Sequence, residues 1–432
     1  MADFTRADVA LLLRRSGFAS LPDDVDALVG EASWADVVDQ VLDPTGSPPD
    51  TIPAIVADPD APQGTAGIAA IRYWVERMVS TPTPIVERTA WFWHGILTSA
   101  LGDALPLWMH RQIQTWRKLG LGDIHALMQA MAKDPAMLDY LDNADNTKAS
   151  PNENFARELM ELFTMGNFTY TEADVIGMAR AWTGHNLAYA AGAYVFRPNQ
   201  HDTGQKTIFG ITKNWDGPDT ITEIVRGSKQ PVCARYLAGR IWSHFAHPDP
   251  SSGLLDELAA ALIDLDMVVQ PFLKVVFERP EFRSDATRRG LVRSPVEWEV
   301  AVFKATGLGV DALDLVNIQR QLGQVPLLPP NVSGWRQNGA WISSSAMWAK
   351  GTFAGMLRQA LIDEGTFDDL KALSTATAVA EALDRFGVDQ PTAATVGHLT
   401  DFLTAERAAG RGATAPATLA ALVTLTPDFQ LA

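Results

Sequence analysis

Apolar residues recur every three to four positions along most of this chain, the period of a helix that buries one face. The stretch "ADVALLLRRSGF" (7–18) sets the pattern, with Thr5 placed as its N-cap and Asp8 three residues on. The same period predicts helices across 68–98 with a break at 80–84, across 123–133 with a short helix beyond Asp134, and from Ser33, Ser150 and Thr171. It continues across 219–247, 254–277 and 294–306, the last with Pro295 at its first position. Three stretches break the period. Residues 44–65 are Pro-rich and read as an irregular surface segment. Residues 193–210 alternate between turn formers and β-formers and read as a β-hairpin or long loop. Residues 325–345, rich in Pro, Gly and Trp, read as a structured loop. The expected fold is mainly α: a large multi-helix domain with a small β-hairpin or loop insertion near 193–212. Residues 1–366 form the expected body, and the Ala/Thr-rich residues 367–432 form C-terminal helices packed on it. No repeat of 20 to 50 residues is visible.

Composition narrows the function classes. At 432 residues and 47% hydrophobic content, a sizeable core is available. Thirteen Trp are many, and each buried indole must find a partner for its N–H. A formal charge of −16 argues against nucleic acid and against an anionic membrane as partner. One cysteine, Cys233, excludes an intrachain disulfide and a cysteine-built zinc cluster; it reads as a small buried hydrophobe. Arg14-Arg15 is followed by no apolar signal core, and no run of about 18 apolar residues occurs, so a cytoplasmic chain with no membrane span is expected.

Several blocks occur together: "LLRRSGF", "WFWHGILTS", "DPAMLDYLDN", "PNENFARELMELFTMGNFTYTEADV", "ARAWTGH", "FRPNQHDTGQKTIFG", "RSPVEW" and "PPNVSGWRQNGAWI". With them the chain resembles the bacterial DUF1800 family of proteins of unknown function, over roughly residues 8 to 360. The resemblance implies an identity without a chemistry. It also implies relatives that are often exported, and a partner encoded nearby. This chain departs from the family pattern twice: it has Ile96 where relatives commonly carry a second histidine, and His185 where they often carry tryptophan. A site needing a His-x-His pair is thereby put in doubt.

The candidate chemistry starts at "SPNENFARELMELF". Ser150 and Glu153 are spaced as a capping box around Pro151. Phe155, Leu159, Leu162 and Phe163 form an apolar stripe; Asn154, Arg157, Glu158 and Glu161 share the opposite flank, where Arg157 and Glu161 can pair. Glu158 lies at the edge of the stripe, so it needs a partner: Arg180 of the next helix, a metal, or a catalytic proton. His94 lies among Trp91, Phe92 and Trp93, as a core histidine or a ligand, and Gly95 beside it permits a backbone or a ligand to come close. His201 and Asp202, in "HDTG", read equally as a turn and as a site, with Lys206 able to hold an anion.

The leading expectation is a metal-assisted hydrolase. Its ligands are His94, His201 and Asp202 on a divalent zinc, manganese or iron. Glu158 serves as base or fourth ligand, and Arg157 and Lys206 hold an anionic substrate group. Asn152, Glu153, Asn154, Glu161, Arg180, His185, Trp335 and Trp341 are candidate pocket residues; the tryptophan walls suit sugars or flat ligands. The alternative is a non-catalytic scaffold or binding protein for a small molecule or protein partner. No nucleotide-binding loop and no G-x-S-x-G elbow is present.

Overall fold

A computed structural model describes residues 4–432. Of the chain, 62% is helical, against two small two-stranded antiparallel sheets, so the class is mainly α as the periodicity predicts. Helices begin where a short polar side chain can catch the free N–H groups of the first turn. Thr5 with Asp8, Thr171 with Asp174, and Ser294 with Glu297 each close a reciprocal capping box, and Ser33 caps Trp34–Leu42.

Ser150 is the exception, and it corrects the capping box expected there. Its backbone N–H donates to Thr147 O at 3.0 Å in a tight turn, and the helix begins only at Asn154. Asparagine side chains hold the intervening segment: Asn146 accepts from Asn152 N at 3.0 Å, and Asn152 accepts from Asn154 N at 2.9 Å. The helix Asn154–Glu158 then widens into a π-helical turn over Leu159–Thr164. Phe155, Leu159 and Phe163 are buried as expected. The widened turn changes the flank, however: Arg157 pairs with Glu153 (3.1 Å) and Glu172 (2.7 Å) rather than Glu161, which accepts from Tyr170 Oη at 2.9 Å.

The predicted hairpin is two hairpins. Strand β1 (His185–Ala188) pairs with β2 (Ala193–Phe196), with His185 opposite Phe196. Strand β3 (Lys206–Ile208) pairs with β4 (Ile211–Lys213) across Phe209 and Gly210, both at positive φ as a mirror-image two-residue turn requires. The irregular loop between β2 and β3 carries His201.

One hydrophobic core runs from Phe4 to Phe429. Several of its large indoles find acceptors: Trp74 donates to Glu87, Trp93 to Gly120 O, Trp182 to Thr220 and Trp298 to Thr424 O, whereas the N–H groups of Trp116, Trp242 and Trp341 have no partner within the protein. The Pro-rich segment is irregular except for Ala54–Ala57 and its last residues, which open the helix Gln63–Ser80; it is pinned from inside, because Arg77 reaches Pro49 O and Arg117 reaches Ser47 while both bind the buried Glu87. Among the described residues, no helix is long and apolar enough to cross a membrane.

Candidate functional site

Where the Thr171-capped helix Glu172–Ala181 ends, the chain turns through Trp182, Thr183 and Gly184 into β1. Gly184 has φ +78°, and a Cβ there would stand 2.8 Å from Arg197 O and 3.0 Å from His201 N. Only glycine lets the His201 loop close onto the start of β1. That contact brings His201 beside His185, their ring centroids 6.1 Å apart. Asp216 arrives from the other side as the N-cap of Gly217–Arg226. One ligand atom from each of His185, His201 and Asp216 lies within 4.8 Å of the others.

The environment fixes both rings. His185 Nδ1 meets Tyr194 Oη at 2.9 Å, leaving Nε2 toward Asp216 Oδ1 at 2.8 Å. His201 Nδ1 donates to Thr183 O at 2.8 Å, which turns its Nε2 toward the same carboxylate, 4.0 Å away. Phe196 packs against both rings, and Trp182 against His185. Both imidazoles are buried, whereas the Asp216 side chain is 47% exposed, so the cluster opens to solvent on its carboxylate side. Burial alone pushes Asp216 up, but the His185 hydrogen bond and charge, the Gly217 N–H and His201 outweigh it and hold the carboxyl below its usual range.

The structure distributes the predicted residues differently from the expected ligand set. His201 is in the cluster, and His185, expected only as a pocket residue, is its partner. His94 stands apart: Trp74, Trp91, Trp116 and Trp335 surround its ring, and Nε2 accepts from Leu327 N at 2.9 Å. Burial pushes its pKa down to about 3. Asp202 is likewise committed, its Oδ2 to Arg180 (2.7 Å) and its Oδ1 to Gly204 N (2.8 Å). Lys206, expected to hold an anion, is buried and holds the loop instead: Nζ donates to Asp202 O, Gly204 O, Asn214 Oδ1 and Trp215 O. That clamp ties the His201 loop to the segment before Asp216. Arg180 therefore serves Asp202 rather than Glu158.

Glu158 is half-buried; burial and the Glu161 charge push it up against the pull of Arg157. Asn152, Glu153 and Asn154 are engaged in the loop and helix start described above, Asn154 also reaching Asp142. Trp335 and Trp341 wall a separate cavity that none of the His185, His201 and Asp216 cluster lines. Cys233 is buried, and its thiol is pushed up to about 12, consistent with a packing role. Sequence reasoning missed Asp216. The signal was present in "NWDGP", an Asp before Gly-Pro at a helix start, but the helix was placed from Asp219.

Comparison with known proteins gives a family match. The family model described as a protein of unknown function, DUF1800, matches residues 11–431. No curated protein and no solved structure matches the chain.

Proposed function

The chain belongs to the DUF1800 family, whose description assigns it no chemistry, and from the geometry above we propose that it binds a divalent transition metal at His185, His201 and Asp216 and uses it for hydrolysis. The observation that carries this reading is the preset pair of imidazoles. Each has its Nδ1 fixed by an outer partner and its Nε2 turned toward one carboxylate. Outer hydrogen bonds of this kind orient metal-bound histidines. Two imidazoles and a carboxylate suit zinc, iron or manganese. Three protein ligands with a solvent-open side leave a position for water, which such an ion acidifies toward neutrality.

One observation favours a non-catalytic reading: His185 Nε2 and Asp216 already satisfy each other at 2.8 Å, and Asp216 also receives Gly217 N. Elemental mass spectrometry separates the two. Untagged protein prepared with zinc, manganese and iron is expected to retain about one metal per chain, falling to background in His201→Ala and His185→Ala variants that still fold by circular dichroism. No retained metal in the wild type overturns the metallohydrolase reading. A large loss of stability in both variants, without metal in the parent, assigns the cluster to structure.

A further inference from the structure

A second site lies elsewhere in the molecule. A cavity of about 120 Å³ opens between the helices Pro84–His94 and Gln230–Phe245 and the loop that carries Trp335 and Trp341. An engineered apolar cavity of about 150 Å³ holds a benzene ring, which sets the scale of an occupant here. Trp91, Trp335 and Trp341 supply aromatic wall, with Trp91 and Trp335 stacked at 5.4 Å. Trp341 is buried, yet its indole N–H has no partner within the protein.

The side-chain charges around this cavity do not balance. Arg88 and Arg240 line it with one side-chain carboxylate, Glu297, and Ala432 stands at its edge. Glu297 pairs with Arg88 and also closes the capping box of its own helix through Ser294 N at 2.8 Å. Arg88 Nε, fully enclosed, is left without an acceptor. Arg240 donates to Tyr236 Oη at 2.8 Å and makes no ion pair among the described residues. His244, one turn after Arg240 on the same face, leaves a buried Nε2 unpartnered. Behind the wall lie two more buried arginines. Arg293 meets only carbonyl and ring partners from Phe429, and Arg15 has two of its three nitrogens unpartnered. Burial and the charges of Arg14, Arg88 and Arg293 push Arg15 down against Glu297, while Asp389 pairs with Arg14 and opposes the push on Arg293. Burying cations with too little counter-charge is costly, and an anion in the cavity offsets part of that cost at Arg88 and Arg240, the two arginines that line it.

We propose that this cavity is a binding site for a small ring-borne carboxylate, the acid group met by Arg88 and Arg240 and the ring by the Trp91, Trp335 and Trp341 wall. Arginine forks suit carboxylates, and indole faces suit aromatic and sugar rings alike.

Titration calorimetry with benzoate and glucuronate, against benzamide and glucose as neutral counterparts, tests this and separates the two ring types. At least one acid is expected to bind once per chain, with its neutral counterpart about tenfold weaker or more. Arg240→Gln is expected to weaken the acid about tenfold, the effect of losing one partly desolvated charge contact. His201→Ala should bind it as the parent does, so failure of the metal reading leaves this result untouched. Should Arg240→Gln melt early, salt decides on the parent protein: acid binding must weaken with added NaCl while neutral binding does not. Saturation by neither acid, equal binding of the neutral counterpart, unchanged affinity in a folded Arg240→Gln, or salt-independent binding overturns the proposal.

Discussion

At the scale of single residues, the two histidines on which the sequence reading dwelt part company because of their surroundings. His201 sits on a loop with one ring nitrogen fixed by a carbonyl and the other turned toward Asp216. His94 is wholly enclosed by indoles, and its only hydrogen bond is received from Leu327 N at Nε2, which places the proton on Nδ1. A ring held neutral in this way has a consequence for acid stability. In the unfolded chain the imidazole takes up a proton below about pH 6.5, whereas in the fold burial holds its pKa down to about 3. The unfolded state therefore binds more protons over that window. The stability His94 contributes is fully present above pH 6.5 and is lost as pH falls toward 3, at up to about 1.4 kcal/mol per pH unit. The expected loss between pH 7 and pH 4.5 is about 2.5 kcal/mol from this group alone. His94→Gln can still accept from Leu327 N but cannot titrate. Urea unfolding from pH 7 to 4.5 should show the variant weaker at pH 7, with a shallower slope, the two curves converging in acid. Parallel curves would mean that His94 already carries its proton in the fold.

At the scale of elements, the loop 325–345 is shaped by one close backbone approach. Gly95 was read as room for a backbone or a ligand, and the occupant is Gly334: a Cβ on Gly334 would stand 2.8 Å from Gly95 O. Gly334 also has φ +74°, a region that costs any side-chain-bearing residue. Gly334→Ala is therefore expected to destabilise by about 2 kcal/mol or more, read as a lower urea midpoint at unchanged slope. Gly351→Ala is the control: it is exposed within the helix Ser344–Glu364, its added Cβ meets nothing within 4 Å, and it should gain up to about 1 kcal/mol. The same contrast explains what could be read from sequence. Helix starts at Thr5, Thr171 and Ser294 were legible because cap and first turn are neighbours in the chain. Ser150 misled because its backbone is spent on Thr147, a choice fixed by the asparagine-held loop rather than by its own spacing. Of the candidate site, His201 was legible as a histidine in turn chemistry. Its partnership with His185 depends on the β1–β2 register and on the space at Gly184, and Asp216 carried only the ordinary signature of a helix cap. Long-range pairing and a glycine gap leave no periodic trace.

At the scale of the whole molecule, the C-terminal residues were expected to pack on the body, and the contacts argue that the body depends on them. Ala415–Val423 lies along Ser344–Glu364, and Trp298 of the body donates its indole N–H to Thr424 O at 3.0 Å. Arg293 N and Nη1 donate to Gln430 O and Phe429 O, both at 2.8 Å, so a buried guanidinium is held by the last turn of the chain. At the other end, Ser20 Oγ reaches Gly387 O at 3.1 Å and Arg14 pairs with Asp389 at 2.6 Å. Removing residues 367–432 would expose the buried Phe353, Leu357 and Leu361 and strip acceptors from Arg293 and Trp298. Buried polar groups left without partners cost about 1–3 kcal/mol each, more when charged, against a total stability of about 5–15 kcal/mol. We therefore propose one cooperative unit, consistent with a family match that runs to residue 431. The full chain should melt in a single transition with coincident midpoints by far-ultraviolet circular dichroism and tryptophan fluorescence. A 1–366 fragment should be insoluble or melt without cooperativity, and should not bind the ring acids, because Ala432 also lines their cavity. A soluble fragment with a sharp transition near that of the parent would make the tail a separate unit, and acid binding by that fragment would show that the cavity needs no wall from it.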